Sequence, residues 1–255
     1  MPPMDMDRFF QLHDGLPRQA PGSDAATQEA LRRLRAHGLP EDPAVLDIGC
    51  GPGRSTMMLG RVTGGRVTAI DIHPPFVGET QHKIDEAGLG RRMRVERRSM
   101  FELDGAYPPE SFDLLWAEGS IYIIGFAQGL ERWRRLLRPG GLAGITEATW
   151  LTENPPVEAK AFWAEAYPAM TTEPGNRAAA ERAGYRVLET FTLPASAWWD
   201  EYYRPLEERI AERRERHPLD PEWTAVLDAE AREIDLYRRF GASYGYVFYL
   251  LRRLG

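Results

Sequence analysis

A glycine-rich loop between a short apolar run and a helix-forming segment constrains the fold of this chain more than any other feature. The run extends from Val45 to Ile48, and glycines follow at the alternate positions 49, 51 and 53. An apolar run of this length is typical of a buried parallel strand. Glycine allows a sharp turn and a close approach of a ligand to the main chain. A helix predicted over 54–61 directs its first N–H groups toward the loop, so the stretch predicts a nucleotide-type binding site.

Two acidic residues indicate which ligand this loop binds. A dinucleotide site of the G-x-G-x-x-G type needs glycine or alanine at position 54, where this chain has Arg54. Asp47 would repel a diphosphate and suits a ligand that carries an ammonium group. Asp71 ends the next apolar run, eighteen residues after Gly53, and an acid at that spacing accepts hydrogen bonds from ribose hydroxyls. An amino group and a ribose without a diphosphate describe S-adenosyl-L-methionine, and a dinucleotide is the alternative.

Motifs within residues 40–150 resemble those of the class I S-adenosylmethionine-dependent methyltransferases. The glycine loop is similar to their motif I, and Asp71 falls at the acid of their motif II. The stretch 112–119 resembles their motif IV, and 137–142 resembles the turn before their fifth strand. More loosely, the whole chain resembles bacterial small-molecule methyltransferases of unassigned substrate. The resemblance implies a methyltransferase with S-adenosyl-L-methionine as its cofactor.

The resemblance also implies which residues contact the cofactor. Ser99 and Met100 follow the third strand and lie against adenine in the family, although Met100 alternatively packs into the core. An N-terminal segment closes over the cofactor in the resembled enzymes, so Arg18 and Gln19 are expected to meet its carboxylate. A surface loop without ligand contact is the alternative for that segment. The full predicted cofactor site consists of Arg18, Gln19, Asp47, Gly49, Gly51, Gly53, Asp71, Ile72, Ser99, Met100 and Glu118.

Strand and helix patterns alternate through the chain and predict its fold class. Strands are expected at 44–48, 66–71, 92–97, 112–117, 141–149, 185–193 and 244–251. Helices are expected between them, including one that Asn154 caps and Pro155 begins, and two at 196–217 and 221–240. This order predicts an α/β, Rossmann-like, doubly wound sheet of seven mostly parallel strands, the last antiparallel, with a helical insertion between strands six and seven.

The same pattern predicts the organisation of the chain. Residues 1–40 are expected to form an N-terminal cap, 41–194 the cofactor-binding core, 195–242 a helical lid and 243–255 the final strand of the core, within a single domain. The lid separates the last two strands by too many residues for a hairpin turn, and an insertion of this length usually covers a site. Whether the aromatic residues of the lid pack in the core or line the pocket is left open.

Acids at the ends of the fourth and fifth strands suit methyl transfer to an amine. Glu118 ends the fourth strand, Glu147 lies near the end of the fifth, and Tyr122 follows Glu118 within a turn. Neighbouring strands bring both acids to one cleft, where a base can remove the proton of the nucleophile. Acids beside aromatic rings favour an amine or another cationic acceptor. Alternatively, Glu118 holds the cofactor and Glu147 is a structural hydrogen-bond acceptor.

Composition restricts the location and the partners of the chain. Its 255 residues contain no apolar run long enough to span a membrane and no signal pattern, so a cytoplasmic protein without membrane contact is expected. Cys50 is the only cysteine, and no Cys/His cluster suggests a metal site. The net charge of −6 argues against nucleic acid as a partner.

These features favour methyl transfer to a small molecule. The alternatives are a methyltransferase that acts on RNA or protein, and a cofactor-binding protein without transferase activity. The sequence leaves the acceptor atom and the oligomeric state open.

Overall fold

One mixed β-sheet forms the centre of the computed structural model, which describes residues 5–255. Residues 1–4, the first part of the predicted cap, lie outside the described residues. The strands are β1 (Ala44–Ile48), β2 (Arg66–Asp71), β3 (Met93–Arg97), β4 (Phe112–Ala117), β5 (Leu137–Trp150), β6 (Thr171–Thr172), β7 (Tyr185–Thr192) and β8 (Tyr244–Arg253). Their order across the sheet is β3-β2-β1-β4-β5-β8-β7, and β6 pairs with the end of β5.

The sheet confirms the predicted Rossmann-like fold. The strands β1 to β5 pair in parallel, and β8 runs antiparallel to both β5 and β7. The strand order reverses between β1 and β4, which places a ligand cleft at the carboxyl ends of these two strands. The short strand β6 was not predicted, because a pair of residues is too short to show a periodic pattern.

Helices cover both faces of the sheet and extend over one edge. They are α1 (Met6–His13), α2 (Asp24–Ala36), α3 (Arg54–Val62), α4 (Pro74–Glu86), α5 (Phe126–Trp133), α6 (Val157–Ala166), α7 (Glu173–Arg182), α8 (Ser196–Trp198), α9 (Arg204–Arg216) and α10 (Pro221–Phe240). A π-helical turn at Trp199–Tyr203 joins α8 to α9. The start of α10 is as predicted, since the Asp220 side chain accepts hydrogen bonds from the N–H groups of Glu222 and Trp223.

Two predicted boundaries are wrong. The helix after β5 begins at Val157, whereas Asn154 was expected to cap it and Pro155 to begin it. The second proline, Pro156, disfavours helical geometry at the residue before it and is itself extended, so the helix starts only after it. The turn expected at 137–142 lies within β5, where the pairing with β4 shifts register between Phe112 and Leu114.

A shared apolar core joins the cap, the sheet and the lid. Leu12 of α1, Leu34 of α2, Leu114 of β4, Trp198 of α8 and Leu227 of α10 are all buried in one cluster. A backbone hydrogen bond of 3.0 Å from the Gly22 N–H to the Ala197 carbonyl also connects the cap to the lid. The cap and the lid therefore pack on the core and on each other. The division into parts predicted from the sequence stays a prediction.

Candidate active site

The glycine loop between β1 and α3 is fixed by close packing. Gly49 has a φ of 73°, and a Cβ atom there would lie 2.5 Å from the Ser120 Cβ. Gly53 has a φ of 86°, and a Cβ atom there would lie 2.6 Å from the Thr80 Oγ1. Neither position accepts a larger residue without displacement of its neighbour. The backbone at the switch point of the sheet therefore stays open to a ligand.

Asp71 lies at the end of β2 with its carboxylate at the rim of this loop. One oxygen accepts the Gly51 N–H at 2.9 Å, and the other accepts the His73 N–H at 2.9 Å. Because each carboxylate oxygen can accept a second hydrogen bond, both retain capacity for ribose hydroxyls. Ile72 is 61% exposed beside it and leaves an apolar surface at the same rim. These residues fit the ribose part of S-adenosylmethionine.

Asp47 lies deeper than the sequence suggested. It is within β1 and 1% exposed, and its Oδ2 accepts the Thr56 Oγ1 hydroxyl at 2.6 Å. Its Oδ1 is buried without a hydrogen-bond partner in the described part of the chain. Burial raises the pKa of this carboxyl to about 7. The unpartnered oxygen fits a ligand with a hydrogen-bond donor, whereas the other oxygen holds the first turn of α3.

Ser99 and Met100 lie on the loop after β3. The Met100 methyl group would be 3.4 Å from a Cβ atom at Gly49, so the side chain lies beside the glycine loop. Met100 is half-buried and also packs against the apolar core on one face of the sheet. The Ser99 hydroxyl accepts the N–H of Phe101 at 3.2 Å within the loop. Met100 therefore lies beside the glycine loop and also packs on the core, and its contact with adenine stays a prediction.

The cap closes over the glycine loop through Arg18 and Gln19. Arg18 is buried and contacts three carboxylates: Glu201 of the lid at 2.8 Å, Asp24 of the cap at 2.9 Å and Glu118 at 3.4 Å. We name these four residues the Arg18 cluster. Gln19 lies against Gly51, and its amide donates to the His13 carbonyl at 2.9 Å. Both predicted residues therefore face the loop, but their polar groups already have protein partners.

A cleft of about 60 Å³ remains between the cap and the glycine loop. Ligand pockets usually have volumes of about 300–1,000 Å³. The cap must therefore move outward before a ligand as large as S-adenosylmethionine binds between them. The residues that line the cleft fit the cofactor in kind, since they offer backbone N–H groups, the guanidinium groups of Arg18 and Arg54 and the carboxylate of Glu118.

Glu118 is a structural centre of the closed cap. Its Oε1 accepts the Thr27 hydroxyl at 2.7 Å and the Trp116 Nε1–H at 2.9 Å. Its Oε2 faces Arg18. Burial raises the pKa of the Glu118 carboxyl, and Arg18 opposes this rise. With all of these partners, Glu118 lies at the predicted edge but is not positioned as a free base.

Glu147 and Tyr122 lie together beyond Glu118. Glu147 is 2% exposed, and its Oε2 is buried with no partner within residues 5–255. Burial raises the pKa of Glu147 to about 8, and the Tyr167 hydroxyl partly opposes this change. Burial and the carboxyls of Glu233, Glu230 and Glu147 raise the pKa of Tyr122 to about 12. Tyr122 therefore keeps its proton at neutral pH and can donate a hydrogen bond. Glu147, with a pKa of about 8, is the group of the two that can accept a proton near neutral pH.

Two acids of the lid were missed by the sequence reasoning. Glu230 and Glu233 lie on the inner side of α10, and Glu230 is 6% exposed. A signal was present, because Glu230 falls at helical spacing between the buried residues Leu227 and Ile234. An acid on the apolar stripe of an amphipathic helix is unusual and indicates a polar function.

The described residues show neither a metal-binding group nor a membrane-spanning helix. Within residues 5–255, no three His, Cys, Asp or Glu side chains are grouped so as to hold a metal ion. None of the helices in this range is both long and apolar enough to cross a membrane.

The part of the chain that contains the glycine loop is similar to known methyltransferase domains. Residues 45–141 match a family model described as a methyltransferase domain. The chain is 29% identical to a sterol 24-C-methyltransferase of Gibberella zeae over 46% of its length, but it spans only 30% of that protein. It is 23% identical to trans-aconitate 2-methyltransferase of Escherichia coli, over 79% of this chain and 73% of the relative.

A solved structure extends the similarity to nearly the whole chain. It is an S-adenosylmethionine-dependent methyltransferase of Geobacter sulfurreducens in complex with S-adenosyl-L-homocysteine, with a TM-score of 0.76 and 22% identity. The alignment covers 96% of this chain and 97% of that one, so the cap and the lid share the fold as well as the core.

Proposed function

We propose that this chain, whose residues 45–141 match a methyltransferase-domain family model, is a class I S-adenosylmethionine-dependent methyltransferase that transfers a methyl group from S-adenosyl-L-methionine to a small-molecule amine. The observation that carries this proposal is a buried carboxyl with an unpartnered oxygen, Glu147, beside the cofactor edge of the sheet. When bound, the cofactor supplies a methyl group on a positively charged sulfur.

The residues around the glycine loop support the cofactor part of this proposal. Asp71 offers two carboxylate oxygens to the ribose, Met100 and Ile72 offer apolar surface to the adenine, and Gly49, Gly51 and Gly53 allow close approach. Arg18 and Gln19 supply polar groups at the other side of the cleft. Ser99 and Glu118 also hold the surrounding loops, and their contacts with the cofactor stay a prediction.

The acids beyond the cofactor cleft support an amine as the acceptor. A reacting amine must lose a proton, and Glu147 with a pKa of about 8 can accept it when ionised. At pH 7 about one molecule in ten carries Glu147 as the carboxylate. Tyr122 and Tyr167 flank this carboxyl and supply ring faces and hydroxyl donors. A polycarboxylate, the substrate class of the trans-aconitate enzyme, would be repelled by the same acids.

The test of this function is formation of S-adenosylhomocysteine with a panel of small primary and secondary amines. We expect at least one amine to stimulate it, and Glu147→Gln to lower the transfer rate about 10²-fold or more, the usual scale for a positioned base. The affinity for S-adenosylhomocysteine should stay unchanged in this variant. Glu153→Gln, an exposed glutamate after β5, is the matched control.

Two results would contradict the proposal. Calorimetric titration that shows NAD binding without S-adenosylmethionine binding would remove the cofactor assignment. Full activity of Glu147→Gln would exclude Glu147 from proton transfer and leave Tyr122 as the remaining predicted group without a protein partner that holds it.

A further inference from the structure

A second group of buried and partly buried polar side chains lies between α1 and the helices of the lid. The Tyr203 hydroxyl donates to Glu233 at 2.8 Å, and the His13 Nε2 lies 3.6 Å from the Glu230 Oε2. The ring centroids of His13 and Tyr202 are 6.2 Å apart. We call Glu230, Glu233, His13, Tyr202 and Tyr203 the lid acid site.

The lid acid site and Glu147 face the same tyrosine. The carboxyls of Glu147 on β5 and of Glu230 and Glu233 on α10 all raise the pKa of the Tyr122 hydroxyl, so the three acids lie near the same tyrosine. Tyr122 itself is 46% exposed, and its ring contacts Tyr167 edge to face with centroids 6.1 Å apart. A small molecule against the Tyr122 ring can therefore reach acids of both the core and the lid.

Two buried side-chain atoms near these acids have no hydrogen-bond partner in the described part of the chain. His13 is fully buried, and its Nε2 has no hydrogen-bond partner among the described residues. Its Nδ1 lies 2.9 Å from the Phe9 carbonyl, to which it can donate, so the Nε2 is the acceptor nitrogen. Burial lowers the pKa of His13 to about 4, so the imidazole is neutral and supplies no positive charge to Glu230. The Glu147 Oε2 is likewise buried and unpartnered.

Glu147 and Glu230 are buried, and within residues 5–255 neither carboxyl is paired with an arginine or lysine side chain, so both are costly to ionise. Burial raises the pKa of Glu230 to about 8, and the neighbouring Glu233 adds to this effect. A buried charge is stabilised when it is paired. A positively charged ligand would pair with these carboxyls. The faces of the surrounding tyrosines would contact the same charge.

We propose that Glu230 and Glu233 of the lid bind the cationic group of the methyl acceptor, with Tyr122 and Tyr202 as its aromatic walls. This inference rests on the proposed function and adds a specificity site contributed by the lid. It requires the acceptor to carry a positive charge in the bound state, whether on the reacting nitrogen or on a second one. Acceptors of the same shape without charge are excluded, because they leave the acids unpaired.

The test uses choline and its uncharged carbon analogue 3,3-dimethyl-1-butanol as probes. Both are titrated by calorimetry into the full-length protein saturated with S-adenosylhomocysteine. Choline has no nitrogen that can accept a methyl group, so binding is measured apart from transfer. We expect choline to bind at least about tenfold more tightly than the analogue. Equal affinity for the two compounds, or no binding of choline, would overturn the proposal.

Variants of the lid identify the groups that bind the charge. Glu230→Gln and Glu233→Gln keep the side-chain size and should each weaken choline binding about tenfold, since each removes one ionisable partner. Asp228→Asn, an exposed acid of the same helix, should leave choline binding unchanged. Unchanged choline affinity in both glutamine variants would exclude the lid acids even if choline binds. Binding of S-adenosylhomocysteine, measured first, reports whether each variant is folded.

The dependence of choline affinity on pH provides a separate readout. Glu230 is faced by His13 of α1, Tyr122 of the turn after β4, Tyr202 of the lid and Glu233 of its own helix. Of these groups, Glu230 changes charge between pH 6.5 and 8.5, since its pKa is about 8, whereas His13 and the two tyrosines stay neutral. Glu230 ionises as the pH rises, so choline affinity should increase over this range. Affinity that falls or stays level would contradict the proposal, whereas loss of S-adenosylhomocysteine binding would contradict the proposed function instead.

Discussion

Asp71 shows how a single side chain combines a structural and a binding role. Its two oxygens fix the backbone of Gly51 and His73, and each keeps a further acceptor position directed to the rim. Asp47, in contrast, uses one oxygen for the first turn of α3 and buries the other. The two acids flank the same loop, but Asp71 lies at its rim, whereas Asp47 is buried beneath it.

We predict that Asp71→Ala weakens binding of S-adenosylhomocysteine by about 1.5–3 kcal/mol, because it removes an ionised hydrogen-bond partner. The change is measured by calorimetric titration at pH 7. Asp85→Ala on the exposed side of α4 is the control and should bind with wild-type affinity. Wild-type affinity in a folded Asp71→Ala protein would mean that another residue contacts the ribose.

The positions of site residues on the strands were predictable, whereas their partners were not. The predicted strand boundaries place Asp71, Glu118 and Glu147 at or near strand ends. The structure has them there. That Glu118 is held by Thr27 and Arg18 depends on how the cap folds back across the sheet. Such contacts join residues far apart in sequence, and no local pattern encodes them.

At the scale of elements, the cap and the lid form one covering layer. The Arg18 cluster takes one carboxylate from the cap, one from the loop after β4 and one from the π-helical turn of the lid. The helices of the lid were predicted from amphipathic spacing, and their bounds agree with the structure to within a few residues. The π-helical turn was not predicted, since it depends on local insertion of one residue into a helical pattern.

We predict that Glu201→Gln loosens the closed cap. The lost charge weakens its contact with Arg18 by about 1 kcal/mol, since the pair is only partly exposed. Amide hydrogen exchange of residues 16–23 in the absence of ligand should become about fivefold faster. Asp200→Asn, whose side chain faces solvent, should show no change. If the two variants exchange alike, the Arg18 cluster does not hold the cap closed.

At the scale of the whole molecule, folding raises the pKa of several acids in the binding region. Burial raises the pKa of Asp47 to about 7 and those of Glu147 and Glu230 to about 8. Their ordinary values are near 4, so the folded protein holds protons that the unfolded chain has released. The stability that this gives is fully present at low pH and is lost as the pH rises to about 8.

We predict that the free energy of unfolding without ligand falls by at least about 2 kcal/mol between pH 6 and 8.5, because each raised carboxyl contributes up to about 1.4 kcal/mol per pH unit. Urea unfolding at several pH values measures this slope. Glu230→Gln removes one such group and should give a shallower slope, whereas Asp228→Asn should keep the wild-type slope. Stability that rises with pH across this window would show that these acids are ionised in the folded state.

The Arg18 cluster also has a kinetic consequence. Its contacts close the cofactor cleft and at the same time join the cap to the helices above the acids of the acceptor site. Release of S-adenosylhomocysteine therefore requires that the contacts between the cap and the lid break. We therefore expect the rate at which this layer opens to set an upper limit on turnover, however fast the methyl group is transferred.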